Sequence, residues 1–369
     1  MKDNIILTTS PSITKKEIDY VNDAITNGHG EHWGDYIKRF EKQFAEYIGV
    51  KHAMATSSCT GAMHLALVAL GVKAGDEVIV PDLTWIATAS AVTYVGATPI
   101  FADVLEDSWC IDPESIRKLI SNKTRAIIPV HLYGTPSDMD SICDIADNND
   151  PFINVIEDAA PSVGAEYFGN KTGSFGDIGC FSFQGAKMLS TGEGGMIVTN
   201  NDGLFEEIKH FADHGRSGNG FDISDIGFKY KMSNLQAAWG CAQLDRVDEL
   251  LFKKRLIFSW YHSELSDIEG IKLNIRNPFD IDPSYWMSSI VLNKDFGVTR
   301  DALMTKLKLK GIDTRPFFPP ISSFRMFSDA NNPVAKRLSD NGVNLPSGHD
   351  LTYYEVKYIC HCIKDILGV

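Results

Sequence analysis

Two short β-rich runs end in residues that can do chemistry. FINVIED (152–158) delivers Asp158, followed by the small Ala159 and Ala160. DIGCFSF (177–183) delivers Ser182, with Gln184, Gly185, Ala186 and Lys187 after it. Ligands of open parallel sheets sit beyond the carboxyl ends of the strands. An Asp and a Lys on separate strand ends can therefore face one ligand from two sides. Pyridoxal phosphate chemistry needs such a pair. The lysine amine condenses with the aldehyde and later moves a proton between carbon atoms. The carboxylate keeps the pyridine nitrogen protonated, so the ring accepts electrons. A buried lysine also loses its charge more readily than an exposed one, which suits a base. The plain alternative is an Asp that ends a strand at a turn and a Lys that is a solvated loop charge. The pair alone does not decide.

Other segments bear on the same question. In TSSCTGAMHLAL (56–67), small and hydroxyl residues lead into a helix and would present free backbone N–H groups to an anion such as phosphate. A helix cap without ligand is the competing reading. Trp85 directly follows the run DEVIVP and PDLT, where a flat ring could stack on a planar cofactor or simply pack in the core. In STGEGG (190–195), glycines flank Glu193, giving either backbone freedom or a wall of the site. His131 in PVHLYG lies at a strand end near the predicted site, with a site role left open. No residues have metal-ligand spacing, so no metal is expected.

The elements that must position these residues alternate. Apolar runs at 76–81, 98–104, 125–131, 152–158, 177–183 and 195–200 are separated by helical patterns near 61–70, 86–95, 114–120, 139–147 and 204–212. That pattern predicts an α/β domain with a mainly parallel sheet covered on both faces. Ile37, Phe40, Phe44 and Tyr47 mark an amphipathic helix over 36–48. A long helix is expected from an N-cap at Ser233 to about Phe252, with Leu235, Trp239 and Ala242 as its apolar stripe. Beyond it the texture becomes mixed and proline-rich, and the last helix should bury Val356, Ile359, Ile363 and Ile366. The division expected is a large domain over 1–250 and a smaller α+β domain over 251–369.

Composition sets the outer bounds. The 369 residues allow two or three domains at about 150 each. Hydrophobic residues at 44% and charged residues at 22% exclude a disordered chain or a small disulfide scaffold. No run approaches the roughly 18 apolar residues of a membrane span, and the N-terminus has no secretory core. A net charge of −13 argues against nucleic acid or anionic membrane as partner. The seven cysteines are odd in number and scattered, which suits a reduced, cytoplasmic protein with buried thiols.

The ordered blocks resemble the DegT/DnrJ/EryC1/StrS family of sugar aminotransferases, within fold type I of the pyridoxal phosphate enzymes. They are FEKQFAEYIGVKHA (40–53), GDEVIVPDLTWIATASAVTYVGATPIFADV (75–104), PVHLYG (129–134), VIEDAAPSVGA (155–165), GCFSFQGAKMLSTGEGGMIVTN (179–200), GFKYKMSNLQAAWGCAQLDR (227–246) and RPFF (315–318). By that resemblance Lys187 is the lysine that bonds the cofactor, Asp158 the pyridine partner and Trp85 the stacking ring. Cys59, Thr60 and Ser182 fall where the family binds phosphate. The resemblance also implies a homodimer with shared active sites, residues 214–234 of one subunit reaching the other's cofactor. Three positions depart from the pattern. Pro161 stands where Gln, Glu or His is common, Lys229 where Asn is common, and RPFFPPIS lacks the usual histidines. Lys229 could bind the partner's phosphate or point to solvent.

The implied reaction moves the amino group of L-glutamate to C4 of a 4-keto-6-deoxy sugar carried on dTDP or GDP, for a surface polysaccharide such as O-antigen. Arg315, Arg216 and Lys229 are the candidate countercharges for the pyrophosphate. Amination at C3, or of a free cyclitol ketone, would share every motif. A dehydratase on this scaffold would carry histidine in place of Lys187, and a non-catalytic regulator would have lost Lys187 or Asp158.

Overall fold

The computed structural model describes residues 5–217, 222–276 and 280–369. Helices α1 (Lys15–Asn27) and α2 (Asp35–Ile48) precede the sheet. Strands and helices then alternate through β1 (His52–Thr56), α3 (Cys59–Ala69), β2 (Glu77–Pro81), α4 (Ala87–Tyr94) and β3 (Thr98–Ala102). Next come α5 (Pro113–Leu119), β4 (Thr124–Ile127), α6 (Met139–Asp147) and β5 (Asn154–Asp158). A small hairpin, β6 (Glu166–Tyr167) and β7 (Asn170–Lys171), leads to β8 (Ile178–Ser182), β9 (Gly195–Thr199) and α7 (Asp202–Ala212). The chain continues with α8 (Asn234–Leu244), α9 (Val247–Leu265), β10 (Ile271–Leu273), β11 (Ile281–Asp282) and β12 (Ser289–Leu292). It ends with α10 (Arg300–Leu309), β13 (Arg315–Pro316), α11 (Pro333–Asn341), β14 (Gly342–Asn344) and α12 (Tyr353–Leu367).

The main sheet has seven strands in the order β1-β9-β8-β5-β4-β2-β3. Only β9 runs against its neighbours; the pairs from β8 through β5, β4 and β2 to β3 are parallel. Strands β8 and β9 are buried along their whole length, as uniformly apolar runs with helices on both faces require. The α/β expectation therefore holds. Strand β1, HAMAT, is an addition: its His, Ala and Met side chains give little β signal, and it is held by pairing along β9. A second sheet, β10-β12-β14-β13, shares a core with α9, α10 and α12 through Ile257, Ile290, Leu303, Val343 and Ile359. In α12, Val356, Ile359 and Ile363 are buried, while Ile366 is half-buried. All seven cysteines are free, and all but Cys143 are buried.

The single helix expected from Ser233 to Phe252 is instead two, α8 and α9, and the division expected at residue 250 falls inside α9. The stripe also differs. Leu235 is exposed, Trp239 half-buried, and α8 buries Ala237, Ala238, Gly240 and Cys241. A Cβ on Gly240 would lie 2.7 Å from the Phe40 ring, so α2 packs directly on that backbone. The break is a docking point for α1. Arg246 leaves helical geometry (φ −118°, ψ 11°), and its guanidinium reaches the Glu17 carboxylate at 2.7 Å and the Ser12 carbonyl. Asp245, beside it, accepts from the Tyr20 hydroxyl at 2.8 Å.

Glu17 anchors this junction. Its carboxylate, 2% exposed, accepts from Thr14 N–H and Oγ1, Gln243 Nε2 and Arg246 Nη1. Burial alone would raise its pKa, but the hydrogen bonds from Thr14, Arg246 and Gln243 outweigh it and hold the group at about 2. A folded pKa below the unfolded 4.5 means the contribution is complete above 4.5 and is lost as pH falls through 2. Glu17→Gln should destabilise the fold by about 2 kcal/mol at neutral pH. In urea unfolding, the gap to the wild type should close across that acid window; a gap independent of pH would exclude Glu17 as the titrating group.

Candidate active site

The site lies at the carboxyl end of the sheet. β5 sits in its middle and ends at Asp158. β8 ends at Ser182, and the following loop folds back on itself, Gly185 N–H donating to Gly192 O and Thr191 N–H to Phe183 O, each at 2.8 Å. That loop carries Lys187, whose own N–H donates to Gln184 O at 2.8 Å. Strand β2 leads to Trp85 and α4, and β1 leads into α3. Between them is a cavity of about 410 Å³, within the size range of small-molecule sites.

Seven of the expected site residues line this one cavity: Lys187, Asp158, Trp85, Cys59, Thr60, Ser182 and Glu193. Asp158 is 5% exposed. Its Oδ2 accepts from Thr88 Oγ1 at 2.8 Å and its Oδ1 from Ala160 N–H at 3.2 Å. Burial raises its pKa, against the pull of Thr88 and of the Lys187 charge. Such a carboxylate is best satisfied by a cation held next to it. Burial also lowers the Lys187 amine to about 8, again opposed by the Asp158 charge.

At the opposite side, Ser58 caps α3, its Oγ accepting from Gly61 N–H at 3.1 Å. The N–H groups of Cys59 and Thr60, the first two of the helix, have no acceptor within it and carry its positive pole. Burial pushes the Cys59 thiol well up, so it stays neutral there. Close packing fixes this end: a Cβ on Gly195 would fall 2.6 Å from Cys59 N and 2.5 Å from Ser58 C. Trp85 is 61% exposed and presents a flat face at the mouth, tilted 53° against Phe318. An anion cradle, a buried carboxylate, an amine of lowered pKa and an aromatic face around one cavity suit a planar phosphorylated pyridine aldehyde. Pyridoxal phosphate fits.

Four expected contacts lie elsewhere in the single chain. His131 is fully buried behind β5: Nε2 meets Glu157 at 3.0 Å and Nδ1 accepts from Ser137 N–H. It braces the strand, its own N–H donating to Asp158 O, and offers the cavity no surface. Arg315 is exposed on β13 and paired with Asp313 at 2.7 Å. Lys229 is exposed, 3.8 Å from Asp213, and half-buried Arg216 lies in the same region away from the cavity. Both belong to the 214–234 segment, of which 218–221 lie outside the described residues.

Among the cavity-lining residues that sequence reasoning did not single out are Thr88, Trp286 and Phe318. Thr88 lies in the first turn of α4, three residues after Trp85, and its hydroxyl reaches Asp158 across the chain, a contact with no local signal. Trp286 comes from the C-terminal part of the chain with no local signal, and its ring centroid is 3.8 Å from Lys187 Nζ.

Fold and site together define a pyridoxal-phosphate-dependent enzyme of fold type I. The chain belongs to the DegT/DnrJ/EryC1/StrS aminotransferase family, whose pattern matches residues 11–364. It is 41% identical over 358 residues to the GDP-perosamine synthase of Escherichia coli O157:H7, covering 96% of each chain. To the GDP-perosamine synthase of Vibrio cholerae it is 39% identical over 361 residues, covering 96% of this chain and 97% of the other. A Streptococcus pneumoniae protein named as a sugar aminotransferase, solved in its PLP-form, superposes with a TM-score of 0.92 at 28% identity over 99% of both chains. The protein is a PLP-dependent sugar aminotransferase.

Gly195→Ala tests the cradle. The added methyl must push the start of α3, so pyridoxal phosphate titrated into the cofactor-free chain should bind at least about tenfold more weakly, with the circular dichroism spectrum preserved. Unchanged affinity would remove the α3 terminus from the binding site.

Proposed function

We propose that the protein transfers the amino group of L-glutamate to C4 of a nucleotide-linked 4-keto-6-deoxy sugar. GDP is favoured over dTDP as the carrier, since the two curated relatives compared above are GDP-perosamine synthases at 41% and 39% identity. The product, a 4-amino-4,6-dideoxy sugar nucleotide, would feed surface polysaccharide (O-antigen) synthesis. The observation that carries this reading is the convergence of Lys187, Asp158 and the free end of α3 on one cavity.

Pyridoxal phosphate, when bound, supplies the electron sink and carries the amino group between the two half-reactions. The chain's own residues do the rest. Asp158, held by Thr88 and Ala160, keeps a proton on the pyridine nitrogen. The N–H groups of Cys59 and Thr60 and the Ser182 hydroxyl take the phosphate, and Trp85 covers one ring face. Lys187 removes the proton from the donor's α-carbon and delivers one to C4 of the sugar. Its lowered pKa of about 8 raises the neutral fraction near pH 7 by ~10²-fold over an ordinary lysine. Glu193 faces the substrate from the cavity wall.

A homodimer completes the site in this reading, with Lys229 and Arg216 of residues 214–234 offered to the partner's anionic groups. His131 and Arg315 are not retained as substrate contacts. The 1–250 and 251–369 units remain part of the proposal as the cofactor-binding and smaller units. A cytoplasmic setting is supported by the nucleotide sugar and by seven free cysteines. Among the described residues, no helix is long and apolar enough to cross a membrane.

The purified holoenzyme should change its visible absorption on addition of L-glutamate, and a GDP-linked 4-keto-6-deoxy sugar should restore the starting spectrum. Lys187→Ala should complete no catalytic cycle. No response to glutamate would overturn the donor, and restoration by a 3-keto sugar alone would overturn the regiochemistry.

A further inference from the structure

The Trp286 ring meets the part of the site that does the chemistry. Its centroid is 3.8 Å from Lys187 Nζ, well inside the range of cation–π attraction. Its indole N–H donates to Ala186 O at 2.6 Å. One side chain thus touches both the reacting amine and the peptide just before it.

The segment that delivers Trp286 is held from several sides. Tyr285 has a φ of +47°, which a bulky residue adopts only where its surroundings force it. Its ring stacks on Phe258 with centroids 3.7 Å apart and planes 10° from parallel. Facing it, Tyr133 has φ +53° and Gly134 φ +95°. A Cβ on Gly134 would fall 2.8 Å from Trp286 N and 2.9 Å from Tyr285 N, so the two turns meet backbone to backbone. Ser284 N–H donates to Gly134 O at 3.0 Å. On the far side, the Lys254 amine, in a side chain 2% exposed, donates to Trp286 O at 3.1 Å and also to Ser347 O. Burying a lysine amine to hold main-chain carbonyls is unfavourable in itself. What it fixes here is the peptide of Trp286.

We propose that Trp286 is a positioning residue for transamination, its ring being the seat that the Lys187 amine occupies whenever it is not bonded to the cofactor. The inference rests on Lys187 being the reacting amine, as proposed above. The seat keeps the amine within the cavity, and the negative face of the indole favours its protonated form, the form that must deliver a proton to carbon. The charged and titratable groups sharing the cavity are Asp158 from β5, Cys59 from α3 and Glu193 from the loop before β9. Trp85 and Phe318 also line the cavity, but the ring against the Lys187 amine is that of Trp286, so removing it isolates its share.

The test uses the full-length chain freed of cofactor. Reductive methylation of Lys187, followed by mass spectrometry of its peptide across pH, gives the acidity constant of the amine. Trp286→Met, which keeps an apolar side chain of similar reach, should raise that constant about two- to fivefold. Trp286→Phe, which retains a ring, should recover part of the difference. In the holoenzyme, Trp286→Met should lower kcat about tenfold with little change in KM for L-glutamate. If Met disturbs folding, Trp286→Leu carries the same comparison. Reduced thermal stability with an unchanged Lys187 ionisation in both ring-free variants would overturn the proposal. Turnover by Lys187→Ala would instead defeat the functional reading and leave the ionisation result standing.

Discussion

A carboxylate buried at the end of a central strand is the constraint around which this site is arranged. Asp158 has given up water, and Thr88 and Ala160 N–H restore only part of what water supplied. The remaining demand is for a positive charge, which a protonated pyridine ring meets. The carboxylate can make that demand only if its strand is immobile. Glu157, preceding it, accepts from Gly173, Phe175 and Gly176 N–H groups at 2.7–2.8 Å and from His131. The buried carboxylate of Glu157 thus ties β5 to the turn before β8, behind the face that Asp158 turns to the cavity. His131 belongs to that tie, fully buried between Glu157 and Ser137.

The second half of the chain closes what the main sheet begins. Trp286 and Phe318 come from beyond α9 and line the same cavity as Asp158 and Lys187. Their placement depends on the meeting of the 133–134 and 284–286 turns, where positive φ values at Tyr133, Gly134 and Tyr285 allow two backbones to touch. Packing overrides local preference there, which is what a preorganised site requires.

The same contrast explains what could be read from the sequence. Asp158 and Lys187 were legible because each follows a short, largely apolar β-rich run, and strand ends are where an α/β sheet places ligands. The start of α3 was legible because Ser58 and the small residues after it are a capping pattern. What failed was everything set by distant contact. The break between α8 and α9 follows from Arg246 reaching Glu17 in α1, which no helical periodicity records. Strand β1, HAMAT, is poor in strand-forming side chains and pairs along its whole length with β9. Trp286 lies far along the chain from the lysine it touches.

The central claim is that Asp158 keeps the cofactor's ring nitrogen protonated inside this cavity. Nitrogen-15 NMR of the holoenzyme loaded with ring-labelled pyridoxal phosphate reads that proton directly. The account predicts a protonated ring nitrogen in the wild type across neutral pH and an unprotonated one in Asp158→Asn. An unprotonated nitrogen in the wild type, or the same protonated signal in both proteins, would contradict it.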